Sequence, residues 1–121
     1  MENRAVWFDI PVLDLERAKA FYSNVFEVEM IDAENGPNKM AMFPFEPGVV
    51  SGCIVQGPDY KPSADGSVVY LNGGEDLSVP LARVEGAGGT VVLDKMSIGE
   101  YGFIAYFMDT EGNKVALHSM S

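Results

Sequence analysis

Cysteine and histidine are nearly missing from this chain, with one of each, Cys53 and His118, among 121 residues. A single cysteine excludes a disulfide framework and a thiolate metal cluster, and it fits a reducing compartment. No unbroken apolar run is longer than Phe103 to Met108, far short of the roughly 20 residues that cross a bilayer. The start, Met1-Glu2-Asn3-Arg4-Ala5, lacks the basic and apolar stretches of a secretory leader. The expectation is a soluble, cytoplasmic protein with no membrane partner. Basic side chains are scarce too: eight Lys and Arg stand against 18 Asp and Glu, a net charge of −10. Such a surface repels phosphate backbones and disfavours a nucleic-acid role, so the expectation is no nucleic acid partner. There is also no Walker sequence, no nucleophile elbow and no His-Glu-x-x-His pair.

What is present is the composition of an ordinary globule, 47% hydrophobic and 21% charged. The length corresponds to a single domain, residues 1–121, able to bury roughly two thirds of its unfolded surface. Within it one pattern occurs twice. Val6-Trp7-Phe8 followed by Asp14-Leu15 returns as Val68-Val69-Tyr70 followed by Asp76-Leu77. Each copy is too small to bury a core alone, which predicts two modules packed together around a shared cleft.

In module 1, residues 1–56, Ala5 to Pro11 alternates as a strand with two unlike faces, Phe8 and Ile10 on one side and Trp7 and Asp9 on the other. Asp14 can accept from the free amides of a first helical turn. Leu15, Ala18, Phe21, Tyr22 and Val25 then recur at helical spacing, which predicts a helix over 15–25. Strands are predicted near 29–33, 39–45 and 50–56. Residues 57–66 hold two prolines and two glycines and read as a linker. Module 2, residues 67–121, starts with a strand over 67–71. A helix capped by Asp76 follows through Leu77, Leu81, Val84 and Ala87, ended by Gly86-Ala87-Gly88-Gly89. Strands over 90–94, 103–108 and 114–119 complete the copy, the last two joined by a turn at Asp109-Thr110-Glu111-Gly112-Asn113. The fold class is α+β: two tandem βαβββ modules forming a curved mixed sheet around a cleft.

A paired βαβββ chain with Asp14-Leu15-Glu16-Arg17-Ala18-Lys19-Ala20-Phe21-Tyr22 at its first helix and Asp109-Thr110-Glu111-Gly112-Asn113 before its last strand resembles the vicinal oxygen chelate superfamily. That superfamily includes glyoxalase I, extradiol dioxygenases and bleomycin-resistance proteins, and the resemblance covers nearly the whole chain. Glu27 departs from it, standing where such chains commonly carry glycine. In metal-dependent members, strand positions on the concave face supply His and Glu ligands to a divalent ion. By resemblance those positions fall on Trp7, Val69, Ala116 and either Cys53 or Ile54, none a hard or imidazole donor. The family metal site is therefore expected to be erased, leaving no cofactor. Bleomycin-resistance proteins, acidic like this chain, bind a drug without catalysis in grooves of a dimer. A small-molecule ligand and a homodimer are what that likeness implies.

If Phe8, Ile10, Val115 and Leu117 meet the helices, alternation sends Trp7, Asp9, Ala116 and His118 to the concave side. Trp7 is either a wall for a planar ligand or plain core. His118, titrating near neutrality, is the candidate proton-transfer group, or else a solvated residue near a frayed end. Asp9 faces the same way and can pair with it. Glu100 and Tyr101, in the loop 97–102, border the expected mouth, and Tyr60 and Tyr106 add phenols. Met40 and Met42 offer an adaptable lining. Ligand contacts are thus expected from Trp7, Asp9, Cys53, Glu100, Tyr101 and Tyr106. The leading expectation is a metal-free binding protein for a small, partly aromatic molecule. The alternatives are a lyase-like, isomerase-like or dioxygenase-like enzyme using His118 as acid/base or a non-standard metal site, and an interaction module whose cleft is unused.

Overall fold

A computed structural model describes residues 1–121. Its strands form two four-stranded mixed sheets, one per module. The first contains β1 (Trp7–Pro11), β2 (Ile31–Asn35), β3 (Asn38–Met42) and β4 (Ser51–Gln56), ordered β1-β4-β3-β2. The second contains β5 (Tyr70–Asn72), β6 (Thr90–Ser97), β7 (Phe103–Met108) and β8 (Lys114–Ser119), ordered β5-β8-β7-β6. In each, the first strand runs parallel to the last and the rest are antiparallel. The expected duplication is present, as two separate sheets that place β1 and β5 at their edges.

Helix α1 (Leu15–Phe26) forms where the periodicity places it. Asp14 has an extended backbone and its carboxylate accepts from the Arg17 amide at 3.1 Å, capping the first turn. Leu15, Ala18, Phe21, Tyr22 and Val25 are all buried. The helix lies between the sheets: the Tyr22 ring meets Phe43 at 5.7 Å, just beyond β3, and the Phe21 ring meets Phe107 on β7 at 5.8 Å. One core of 18 buried residues consequently draws on both modules. At its exit Glu27 adopts the left-handed conformation, φ 52° and ψ 48°, the one non-glycine residue with positive φ. Glu27 thus takes a conformation that glycine adopts most readily, and Arg83 closes the exit by donating to the Val25 carbonyl and pairing with Glu27 at 3.0 Å.

The second helix is much shorter than its sequence pattern. Only Ser78–Leu81 is regular, labelled α2, and Asp76 makes a turn to the Ser78 amide one residue ahead of the helix cap. Beyond it Arg83, Val84 and Gly88 bond three residues back, to Pro80, Leu81 and Glu85, so the chain continues as tight turns. Pro80 contributes no amide and the run from Gly86 to Gly89 resists helix, which favours this tighter path. Leu77, Leu81 and Val84 still reach the core. Other predicted edges move by a few residues: the first strand of module 2 begins at Tyr70, and the strand from Thr90 runs on to Ser97.

The turn Asp109–Asn113 fastens the modules together. The Glu111 carboxylate accepts from the Leu13 and Asp14 amides, both at 2.9 Å, and from Arg17 Nε at 2.7 Å and Nη2 at 2.9 Å. Burial alone would raise its pKa, but the bonds from Arg17, Asp14, Thr110 and Leu13 outweigh that and hold it at about 2. Asp109 accepts from the buried Tyr22 hydroxyl at 2.7 Å, and Asn113 donates to the Pro11 carbonyl at 2.8 Å. The Ser63 amide donates to Asn113 Oδ1 at 3.1 Å, so the linker is held by the same turn.

Candidate functional site

Strand register decides which side chains share a face. On the first sheet Phe8, Ile10, Ala41 and Ile54 turn to the core. The opposite face carries Trp7 and Asp9 on β1, their partners Ser51 and Cys53 on β4, and Met42, the partner of Cys53 on β3. On the second sheet Leu71, Ala105, Phe107, Val115 and Leu117 turn to the core. The other face carries Tyr70 and Asn72 on β5, their partners Ala116 and His118 on β8, and Ile104 and Tyr106 on β7. Trp7–Ser51 thus corresponds to Tyr70–Ala116, and Asp9–Cys53 to Asn72–His118.

Trp7 is 39% exposed and meets the edge of Phe45 at 6.0 Å. Asp9, two residues on, is exposed; it accepts from the buried Cys53 thiol at 3.2 Å and from the Tyr60 hydroxyl at 3.4 Å. Burial first, then the hydrogen bond and charge of Asp9, push the Cys53 thiol up to about 12, so it stands protonated as a donor. Tyr60 comes from the linker, and Asp9 heads the causes that raise its pKa too.

On the second sheet, His118 Nε2 lies 2.6 Å from the Tyr101 carbonyl. A carbonyl only accepts, so Nε2 carries the proton and Nδ1 remains the basic atom. Tyr101 contributes its backbone here, and its side chain is exposed. The Tyr70 and Tyr106 hydroxyls share a hydrogen bond of 3.0 Å, and the Lys114 ammonium lies 5.1 Å from the centre of the Tyr106 ring. Glu100 is exposed and forms no hydrogen bond or ion pair. Asp9 and His118 are not paired: each is engaged within its own sheet, and no hydrogen bond links the Trp7 cluster to the His118 cluster. An apolar groove of about 590 Å³ runs along the seam between the modules, lined by Phe8, Phe26, Phe43, Val50, Val68 and Val69. A more polar hollow of about 910 Å³ opens beside His118, Asn72, Glu75 and Asp76.

Residues 4–44 match the family model for the N-terminal part of bleomycin resistance-like proteins. A domain from Frankia, described as glyoxylase/bleomycin resistance protein/dioxygenase, superposes with a TM-score of 0.74 at 14% identity, covering 100% of both chains. The chain has the vicinal oxygen chelate fold. Glyoxalase I of Leishmania major shares that fold at TM-score 0.69 and 16% identity, covering 98% of this chain and 88% of its own. An antibiotic binding protein from Streptomyces shares it at TM-score 0.66 and 22% identity, over 99% and 98%. No curated protein matches the sequence.

The metal of vicinal oxygen chelate enzymes does not fit the side chains here. Val69 packs on the core, so the exposed position of the second module is Tyr70, one residue later than the repeat implies. The fourth position is Ser51, the partner of Trp7 as Ala116 is of Tyr70, while Cys53 shares the face two residues on and Ile54 points to the core. An indole, a serine hydroxyl, a phenol and a methyl do not make a divalent-ion site. No group of three or more His, Cys, Asp or Glu converges elsewhere. The sequence pattern missed Tyr70, Asn72 and Ser51; only the parallel pairing of first and last strands identifies them.

Proposed function

We propose that this protein binds a small, partly aromatic molecule on the open sheet faces, without a divalent metal. Trp7 forms a flat wall, Asp9 provides an acceptor, and His118 provides a base at Nδ1. The observation that carries this reading is the partly exposed indole of Trp7, on an open sheet face and two residues from an exposed carboxylate. An exposed tryptophan forgoes burial of its large apolar surface, and a planar ligand recovers that energy. Likeness to a Streptomyces protein described as antibiotic binding supports the same direction. Cys53, Tyr106 and the carbonyl end of Tyr101 frame the two clusters, and Glu100 edges the second. Each sheet supplies half a lining, so we propose a homodimer in which the Trp7 face of one copy and the His118 face of the other close one cup. Val6, Phe45, Val50 and Tyr70, all exposed, supply apolar surface for that contact.

The test is a thermal-shift screen of planar aromatic compounds, followed by calorimetry with Trp7→Ala. A ligand at about a hundred times its Kd raises stability by roughly 2.7 kcal/mol. The variant should lose binding at least tenfold while keeping its melting temperature. Unchanged affinity in Trp7→Ala would sink the reading, and a monomeric mass in light scattering would remove the dimer. The second reading, an acid/base enzyme, rests on the Tyr101 carbonyl fixing His118 with Nδ1 free. Its mark is turnover that His118→Gln abolishes.

A further inference from the structure

Cys53 has sulfur and oxygen donors on both sides. Its Sγ lies 3.9 Å from Met40 Sδ and 3.2 Å from Asp9 Oδ1. Its register partner on β3 is Met42, whose side chain shares the face, and its partner on β1 is Asp9 itself. The thiol, the Met40 thioether and a carboxylate therefore gather at one point of the first sheet, with Met42 on the same face, away from the core cluster. The carboxylate is exposed, so the cluster opens to solvent beside it.

We propose that Cys53, Met40 and Asp9 form a binding site for a soft monovalent d10 cation, Cu(I) or Ag(I). Thiolate and thioether donors select such ions over the harder divalent metals. Two metal–sulfur bonds of about 2.3 Å spanning the observed separation would subtend about 115°, near the angle of trigonal coordination. The Asp9 oxygen is placed as third donor, and Met42 is the reserve thioether. On binding, the S–H bond of Cys53 breaks, its electron pair goes to the metal, and the proton passes to the Asp9 carboxylate and on to water. No electron is transferred and one proton leaves per ion. Asp9 and Tyr60 are the titratable groups that face this thiol, joined in one hydrogen-bonded chain. The site stands whether or not an organic molecule binds at Trp7.

The experiment is anaerobic titration of the full chain with Ag(I), and with Cu(I) against a competing Cu(I) chelator, followed by calorimetry and proton release into a weak buffer. One ion per chain and one proton per ion are expected. Cys53→Ala should abolish binding. Met40→Leu, which keeps the side-chain volume and hence the fold, should weaken it at least tenfold, and Asp9→Asn should lower affinity by less while still releasing one proton per ion. Full affinity in Met40→Leu would reduce the feature to one reactive thiol and overturn the proposal. So would equally tight Zn(II) or Ni(II) binding, or absence of stoichiometric binding. The Ag(I) titration needs no organic ligand, so this test and that of the organic ligand can fail separately.

Discussion

Replacing Glu111 with Gln probes the fastening between the modules. The Glu111 side chain is fully buried, and its carboxylate accepts from two backbone amides, the Thr110 hydroxyl at 2.8 Å and two nitrogens of Arg17. Glutamine keeps one acceptor oxygen and turns an amide N–H toward donors, so at least one of the Leu13, Asp14 or Arg17 groups loses its partner. A shift from 4.5 to about 2 corresponds to about 3 kcal/mol of preference for the charged form in the folded state. Because Arg17 is half exposed and solvent screens its part of the pair, about 2 kcal/mol is the figure to expect. For a chain of this size that lowers the melting midpoint by about 8 °C. The folded pKa lies below the unfolded one, so this stability is fully present above about 4.5 and lost as pH falls toward 2. Urea unfolding at pH 7 and across the acid range, for wild type and Glu111→Gln, reads both effects. A difference below about 0.5 kcal/mol at pH 7, or one that does not shrink in acid, would refute the reasoning.

Cys53, buried and with its pKa pushed up to about 12, should react with iodoacetamide at pH 8 at least about 100-fold more slowly in the native protein than in urea; equal rates would mean the thiol is not held as described. Glu27→Gly should leave stability unchanged or raise it by up to about 1 kcal/mol, since relief of left-handed strain outweighs the added chain entropy and the loss of an exposed pair with Arg83. A loss above about 1 kcal/mol in chemical denaturation would mean the Arg83 pair dominates that exit.

Much of the fold was legible in the linear chain because its signals are local. Asp14 followed by Leu15, Ala18, Phe21, Tyr22 and Val25 specifies both the cap and the buried stripe of α1, and the Asp109–Asn113 turn marks the last hairpin. The same local logic overstated the second helix, where Pro80 and the glycines after Glu85 favour tight turns that keep the apolar spacing. Alternation alone correctly divided Phe8 and Ile10 from Trp7 and Asp9. It could not locate the second-module counterpart of Trp7. A slip of one residue reverses a strand's faces, and only the pairing of Tyr70 with Ala116 fixes that phase. The partners of the candidate site were likewise invisible: Cys53 on Asp9, the Tyr101 carbonyl on His118 and Tyr70 on Tyr106 are contacts between residues far apart in the chain. Periodicity is a property of neighbours along a backbone, so the sequence by itself determined the elements and their apolar faces. Register and long-range hydrogen bonds arise only when strands meet, so the tertiary structure alone decided which side chains stand together on the open faces.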